Sequence, residues 1–185
     1  MRYKMIYILF LIFLLITIPY VITVFLSQQD KNIQFENYDS GYQVISGNDK
    51  DDLETYLLKI LPGQISMDQE NEAVKAQAVI LRTDIIRRME NKKQIARQKL
   101  PYTTYENSEY RKKLGNRSYQ SMDQKRKKSV SETRGKVITY KNKLIEPYFH
   151  ALSVGMTLDS REWFGKDLPY IREKESLSDI EAKDY

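Results

Sequence analysis

His150 and Ser153 stand three residues apart, a spacing that can bring an imidazole and a hydroxyl together as base and nucleophile. No acid is placed in the sequence to orient the imidazole and no oxyanion hole is legible, so the pair reads as part of a loop rather than as a hydrolase centre. His150 is the single histidine and there is no cysteine. That composition excludes multi-imidazole and thiolate metal sites, cysteine nucleophiles and disulfide scaffolds, so no metal and no cofactor is expected. Tyrosines recur from residue 102 to 119, either as a half-buried cover for a sheet or as platforms for sugar rings; the cover is the preferred reading. Basic residues cluster at 111–113 and at 125–128. They are expected to form a solvated helix face. Outside a cell the polyanions within reach would be wall polymers and lipid headgroups, and nucleic acid is not expected.

These side chains need a scaffold, and 185 residues supply one domain at most once a leading segment is set aside. Arg2 and Lys4 precede an uncharged run over residues 5–26. At about 1.5 Å per residue a helix of that length spans roughly 33 Å, enough for a hydrocarbon core of about 30 Å. The exit at Val24-Phe25-Leu26-Ser27 lacks the small residues of a cleavage site, so an uncleaved, single-pass anchor is expected. Positive charge before the span places the N-terminus in the cytoplasm and the remainder outside. That external part is close to neutral, with 28 basic and 25 acidic residues.

The external part reads as α+β, with helices first and a small antiparallel hairpin sheet after. Residues 27–41 form a linker and residues 42–46 a short strand closed by Gly47-Asn48. Asp49 to Asp52 offer caps for a helix over 53–61, with Leu53, Leu57, Ile60 and Leu61 on one face. The strongest helix is expected over about 72–92. Val74, Ala78, Leu81, Ile85 and Met89 make its apolar stripe, and Glu70 and Glu72 enrich its start. Residues 102–110 show no period, and 118–132 read as a polar helix. Strands over 137–140 and 143–145 flank Lys141-Asn142, a two-residue hairpin turn. Residues 150–157 are a loop, and Trp163 and Phe164 are core or interface aromatics. A polar tail closes the chain over 177–185.

Two blocks of this sequence resemble a known family. Leu61-Pro62-Gly63-Gln64-Ile65-Ser66, followed by Glu72-Ala73-Val74-Lys75-Ala76-Gln77-Ala78-Val79-Ile80-Leu81-Arg82-Thr83, looks like the SpoIID/LytB signature: an L-x-G-E-M-P-like turn and an E-A-L-K-A-Q-A-V-A-A-R-T helix. Thr133-Arg134-Gly135-Lys136-Val137-Ile138-Thr139-Tyr140 resembles T-x-G-x-V-L-x-Y, and His150-Ala151-Leu152-Ser153-Val154-Gly155-Met156-Thr157 resembles H-x-x-S-x-G-x-T. Trp163 and Leu168-Pro169-Tyr170-Ile171 match the W-G…Y-L that follows. The resemblance covers about residues 42–176 and looks like the N-terminal part of a longer domain.

The resemblance implies chemistry on peptidoglycan. Lytic transglycosylases protonate the glycosidic oxygen with a carboxylic acid, and the sugar's own 6-hydroxyl closes a 1,6-anhydro ring. The glutamate of the family turn supplies that acid, and Gln64 stands in its place here. A carboxamide can hydrogen-bond a sugar but has no proton to give. The resemblance also implies a substrate-facing role for Arg82, whose bland alternative is an ion pair, and for His150, Ser153 and Thr157 in a loop that serves equally as a structural turn. No catalytic residue is assigned. The expected function is a membrane-anchored, non-catalytic peptidoglycan-binding or scaffold protein in sporulation or wall remodelling. Its partners would be glycan strands, the membrane through residues 5–26, and other sporulation or wall-hydrolase proteins. The alternative is an active transglycosylase using a displaced acid, with Asp68, Glu70 and Glu72 as candidates.

Overall fold

An unbroken apolar run with no carboxylate favours a helix that can bury its backbone polar groups in itself. In the computed structural model, which describes residues 2–29 and 38–181, that run is α1 (Arg2–Gln29), with Pro19 inside it. Its stretch Tyr3–Thr23 is long and apolar enough to cross a membrane, and its described side chains are almost all exposed. The hydroxyls of Thr17 and Thr23 donate to the carbonyls of Phe13 and Pro19 at 2.9 and 2.8 Å, so neither polar group needs water. Most of the expected linker, residues 30–37, lies outside the described residues.

The part after α1 begins with β1 (Gln43–Ser46) and β2 (Asp49–Asp52), an antiparallel pair turned through Gly47-Asn48, with Gly47 at φ +61°. β3 (Gln94–Ala96) adds to the other side of β1 in parallel, giving the order β2-β1-β3. Asp52 ends β2 and caps α2 (Leu53–Ile60): one carboxylate oxygen accepts from the Glu54 amide at 2.9 Å, the other from the amide and hydroxyl of Ser40, both at 2.7 Å. A 3₁₀ turn over Leu61–Gly63 leads to α3 (Asn71–Arg88). The expected stripe of α3 is the core of the domain: Val74, Ala78, Leu81, Ile85 and Met89 are all buried, against Leu53, Leu57, Ile60 and Leu61.

The segment without a legible period is partly helical. Residues 107–114 form α4 (Asn107–Leu114), and Gly115, at φ +76°, separates it from α5 (Asn116–Glu132). Glycine is needed there because an L side chain disfavours that backbone state. Tyr110 and Tyr119 are buried with their rings edge to face at 6.0 Å, so they seal helix against helix rather than cover a sheet. The basic run on α5 is not wholly a solvated face either. Arg126 is buried, donating to the Leu58 carbonyl at 2.8 Å and to Asn107 at 3.0 Å, and it pairs with Asp123.

Beyond α5 the chain makes two small hairpin-like pairs. β4 (Thr139–Tyr140) and β5 (Lys143–Leu144) are joined by Lys141 and Asn142, both with positive φ, as the expected two-residue turn requires. β6 (Met156–Thr157) pairs with β7 (Lys174–Glu175), with α6 (Ser160–Phe164) between them and α7 (Leu177–Ile180) after. Phe164 lies against Tyr148 with ring centres 4.1 Å apart, while Trp163 is exposed and not in the core. The start of the expected polar tail is α7, whose Ile180 packs on Gly155; residues 182–185 lie outside the described residues.

Asp84 ties the end of α3 to the segment that follows. It accepts from Tyr102 at 2.6 Å, from Arg88 at 2.6 Å and from Arg87 at 3.0 Å. Burial by itself would raise its pKa, but these three donors outweigh it and hold the carboxyl below its ordinary value. Its stabilisation is therefore complete above the ordinary aspartate range and lost as pH falls through the lower folded value. Asp84→Asn is expected to cost about 1.5–3 kcal/mol at neutral pH, the worth of hydrogen bonds to a charged group. The difference should narrow as pH falls below the ordinary aspartate range and the folded carboxyl takes up its proton. Urea midpoints at neutral and acid pH check this; a gap that does not narrow in acid would contradict it.

Candidate functional site

The Leu61–Gly63 turn is fixed from both sides. Pro62 starts it and Gln64 closes it, with the Gln64 amide donating to the Leu61 carbonyl at 3.0 Å. The ring of Tyr105 lies directly over Gly63: a Cβ there would meet the ring edge at 2.6 Å, so glycine permits the approach. Tyr105 is held in turn by its amide, which donates to the Lys59 carbonyl at 2.8 Å. Ile65 packs on the core, Met67 is buried, and the Lys125 ammonium caps the Gln69 carbonyl. Gln64 thus sits half-buried on a pinned turn, between exposed Gly63 and Ser66.

The nearby carboxylates are placed otherwise. Asp68 is exposed, 3.4 Å from the Ser66 hydroxyl, and Glu70 is exposed at the N-cap of α3 with no side-chain capping bond. Glu72 lies in the first turn of α3, 82% exposed and paired with Lys75 at 2.7 Å; Lys75 also reaches Glu132 at 2.6 Å. That placement suits the helix dipole and a solvated ion pair.

Arg82 is 1% exposed. Its Nε and Nη2 clasp the two oxygens of Glu54, itself 1% exposed, each at 2.7 Å. Nη1 donates to the Lys136 carbonyl at 3.1 Å, and Nη2 also lies 3.4 Å from the Thr133 hydroxyl. Next to it, the Thr83 hydroxyl accepts from the Ile138 amide at 3.0 Å. The arginine and threonine of the long helix therefore hold the segment after α5. Arg82 is buried and ion-paired with Glu54, the arrangement of the second of its two sequence readings.

The second block is brought together by a residue that spacing did not reveal. Asp179 accepts from the Ser153 hydroxyl at 2.6 Å and from the Ser153 amide at 2.9 Å. Those bonds hold the Asp179 carboxyl below its ordinary value, and the charge of nearby His150 adds in the same direction. With its hydroxyl and amide both donating to Asp179, Ser153 braces the loop. His150 itself is exposed. The Thr157 hydroxyl accepts from the Lys174 amide at 3.0 Å and belongs to the β6–β7 pair. Among the described residues no hydrogen bond or ion pair joins this loop to Gln64, so the sequence-derived set falls into a turn, a buried pair and a braced loop. No group of acids and imidazole suited to a metal occurs among the described residues.

A family model described as Stage II sporulation protein, SpoIID, matches residues 41–140, from the start of β1 through the turn, both long helices and β4. This chain belongs to the SpoIID family. It is similar to stage II sporulation protein D of Bacillus subtilis (strain 168), 28% identical over 140 residues, which is 72% of this chain and 41% of that protein. The protein of the same name from Bacillus amyloliquefaciens matches to the same extent. An uncharacterized protein of Brachyspira hyodysenteriae (strain ATCC 49526 / WA1) is 32% identical over 119 residues, covering 64% of this chain and 30% of that one. The chain thus spans less than half the length of these SpoIID relatives. The family match includes Gln64 and Arg82 and ends before the loop that carries His150, Ser153 and Thr157.

Proposed function

We propose that this SpoIID chain is a single-pass membrane protein whose external domain binds peptidoglycan glycan strands without cleaving them, in sporulation or wall remodelling. Family membership supports the sporulation and wall role. The apolar length of α1 supports the anchor, and Arg2 and Lys4 before it favour a cytoplasmic N-terminus. The observation that carries the non-catalytic reading is Gln64: a carboxamide occupies the pinned turn where the family resemblance places an acid, and no neighbouring carboxylate takes over. Glu72 is tied to Lys75, and Asp68 and Glu70 face solvent, outside the turn that holds Gln64. Gln64 still offers a donor and an acceptor to a sugar hydroxyl or acetamido group.

The test is co-sedimentation with insoluble peptidoglycan. The external domain is expected to pellet with the wall and to release no 1,6-anhydro muropeptides. Gln64→Ala should weaken retention about three- to ten-fold, the worth of one hydrogen bond. A domain that stays in the supernatant would defeat the binding reading.

A further inference from the structure

The end of α3 and the strand after it form a groove that the glycan reading does not use. It encloses about 600 Å³ and is lined by Arg87, Arg88, Lys92, Gln94 and Lys99, with Glu90 as the sole acid in the lining. Residues 87–99 carry six basic side chains against that one acid. Arg87 and Arg88 share Asp84, and Arg87 lies 3.9 Å from Glu146. Their place in the last turn of α3 also suits the helix dipole, so dipole and ion pairs account for these two. They do not account for Lys92 and Lys99, which lie beyond the helix, are exposed and have no ion pair among the described residues. Nor do they satisfy Arg87 Nε, which is buried without an acceptor.

The groove adjoins the strand that follows the anchor in sequence. β1 is the first strand after α1, and it pairs with β3, whose ends carry this charge: the Gln43 amide donates to the Lys93 carbonyl at 2.8 Å, and Gln94 to the Gln43 side chain at 3.0 Å. Residues 30–42 separate α1 from β1 in sequence, and so short a tether keeps the groove at high local concentration near the bilayer surface. We propose that the groove takes the phosphate of anionic lipid headgroups, docking the domain on the membrane that α1 enters. Lys92 and Lys99 reach the phosphate as mobile point charges. The proposal rests on the anchored reading of α1 and is independent of glycan binding.

The experiment uses the full chain in nanodiscs of phosphatidylcholine alone, or with phosphatidylglycerol added, and follows amine labelling of each lysine by mass spectrometry. In anionic discs labelling of Lys92 and Lys99 should slow about five-fold for each basic residue engaged, while exposed Lys141 and Lys166 keep their rates. The protection should fade with added salt. Lys99→Glu should abolish the protection of Lys92. Equal rates in the two lipids overturn the proposal, as does equal protection of Lys141 and Lys166. Protection by soluble pyrophosphate in neutral discs, with none from phosphatidylglycerol, would also overturn it and make the groove a site for a free anion. A failure of anchoring reads differently: the chain would not co-purify with neutral discs at all.

Discussion

Replacing Arg82 with alanine is expected to cost the domain after α1 about 3–5 kcal/mol, the penalty for stranding one partner of a buried ion pair. That is a large share of the roughly 5–15 kcal/mol that holds a domain together. The reason lies in what is left behind. Glu54 is 1% exposed, with both oxygens occupied by Arg82, and without the guanidinium its charge has neither water nor a counter-ion. The Lys136 carbonyl loses its donor as well, so the segment leading into β4 is released from α3. Glu54→Ala should cost a similar amount by stranding Arg82 in its turn. The double variant Glu54→Leu with Arg82→Met is expected to recover most of the loss, because an apolar pair of similar volume carries no desolvation penalty. Urea midpoints of the domain made without α1 measure all three. Single variants within about 1 kcal/mol of the parent would show that the pair is solvated, as surface pairs are.

Much of the scaffold was legible because it follows from period. The stripe from Val74 to Met89 repeats at helical spacing and is buried throughout, and the four apolar positions of α2 line up against it. What escaped was structure that carries no apolar period. β2 reads Asp-Lys-Asp-Asp; as an edge strand it needs backbone pairing with β1 and gains from charge that repels further strands. β3 is three residues long and is defined by its pairing with β1, some 50 positions earlier. α4 was hidden because it carries a single buried ring, Tyr110, which packs on Tyr119 of α5, and one aromatic makes no period. Glu54 escaped for a different reason. On α2 it looks like an exposed first-turn acid, and only the fold brings Arg82, 28 positions away, against it. Asp179 lies beyond the family motifs, and no local spacing links it to Ser153. The Gln64 turn, by contrast, was legible as a turn from Pro62-Gly63; the ring of Tyr105 over Gly63 was not.

The unmodified domain, made without α1, is expected to leave glycan strands uncut, and Gln64→Glu is expected to bring release of 1,6-anhydro products up to detection. The two outcomes share one chemical cause. A positioned acid that protonates the glycosidic oxygen contributes about 10²–10⁴-fold in rate, and an amide contributes none of it. Glutamate differs from glutamine at one terminal atom, so the substitution asks little of the turn. Gly63 keeps its contact with Tyr105, and the backbone bond from residue 64 to Leu61 is unaffected by the side chain. The half-buried position would favour the neutral acid over the carboxylate, the direction a proton donor requires. The measurement is chromatographic detection of anhydro-muropeptides from purified peptidoglycan, with folding of each variant checked by thermal melting. Folded Gln64→Glu that releases nothing would mean that the turn alone does not make the catalytic cleft. Robust release by the unmodified domain would overturn the non-catalytic reading outright. Another acid would then be at work, and Asp68, Glu70 and Glu72 would be replaced one at a time. Among them Glu72 is the weakest candidate, since its carboxylate is engaged by Lys75 in the first turn of α3.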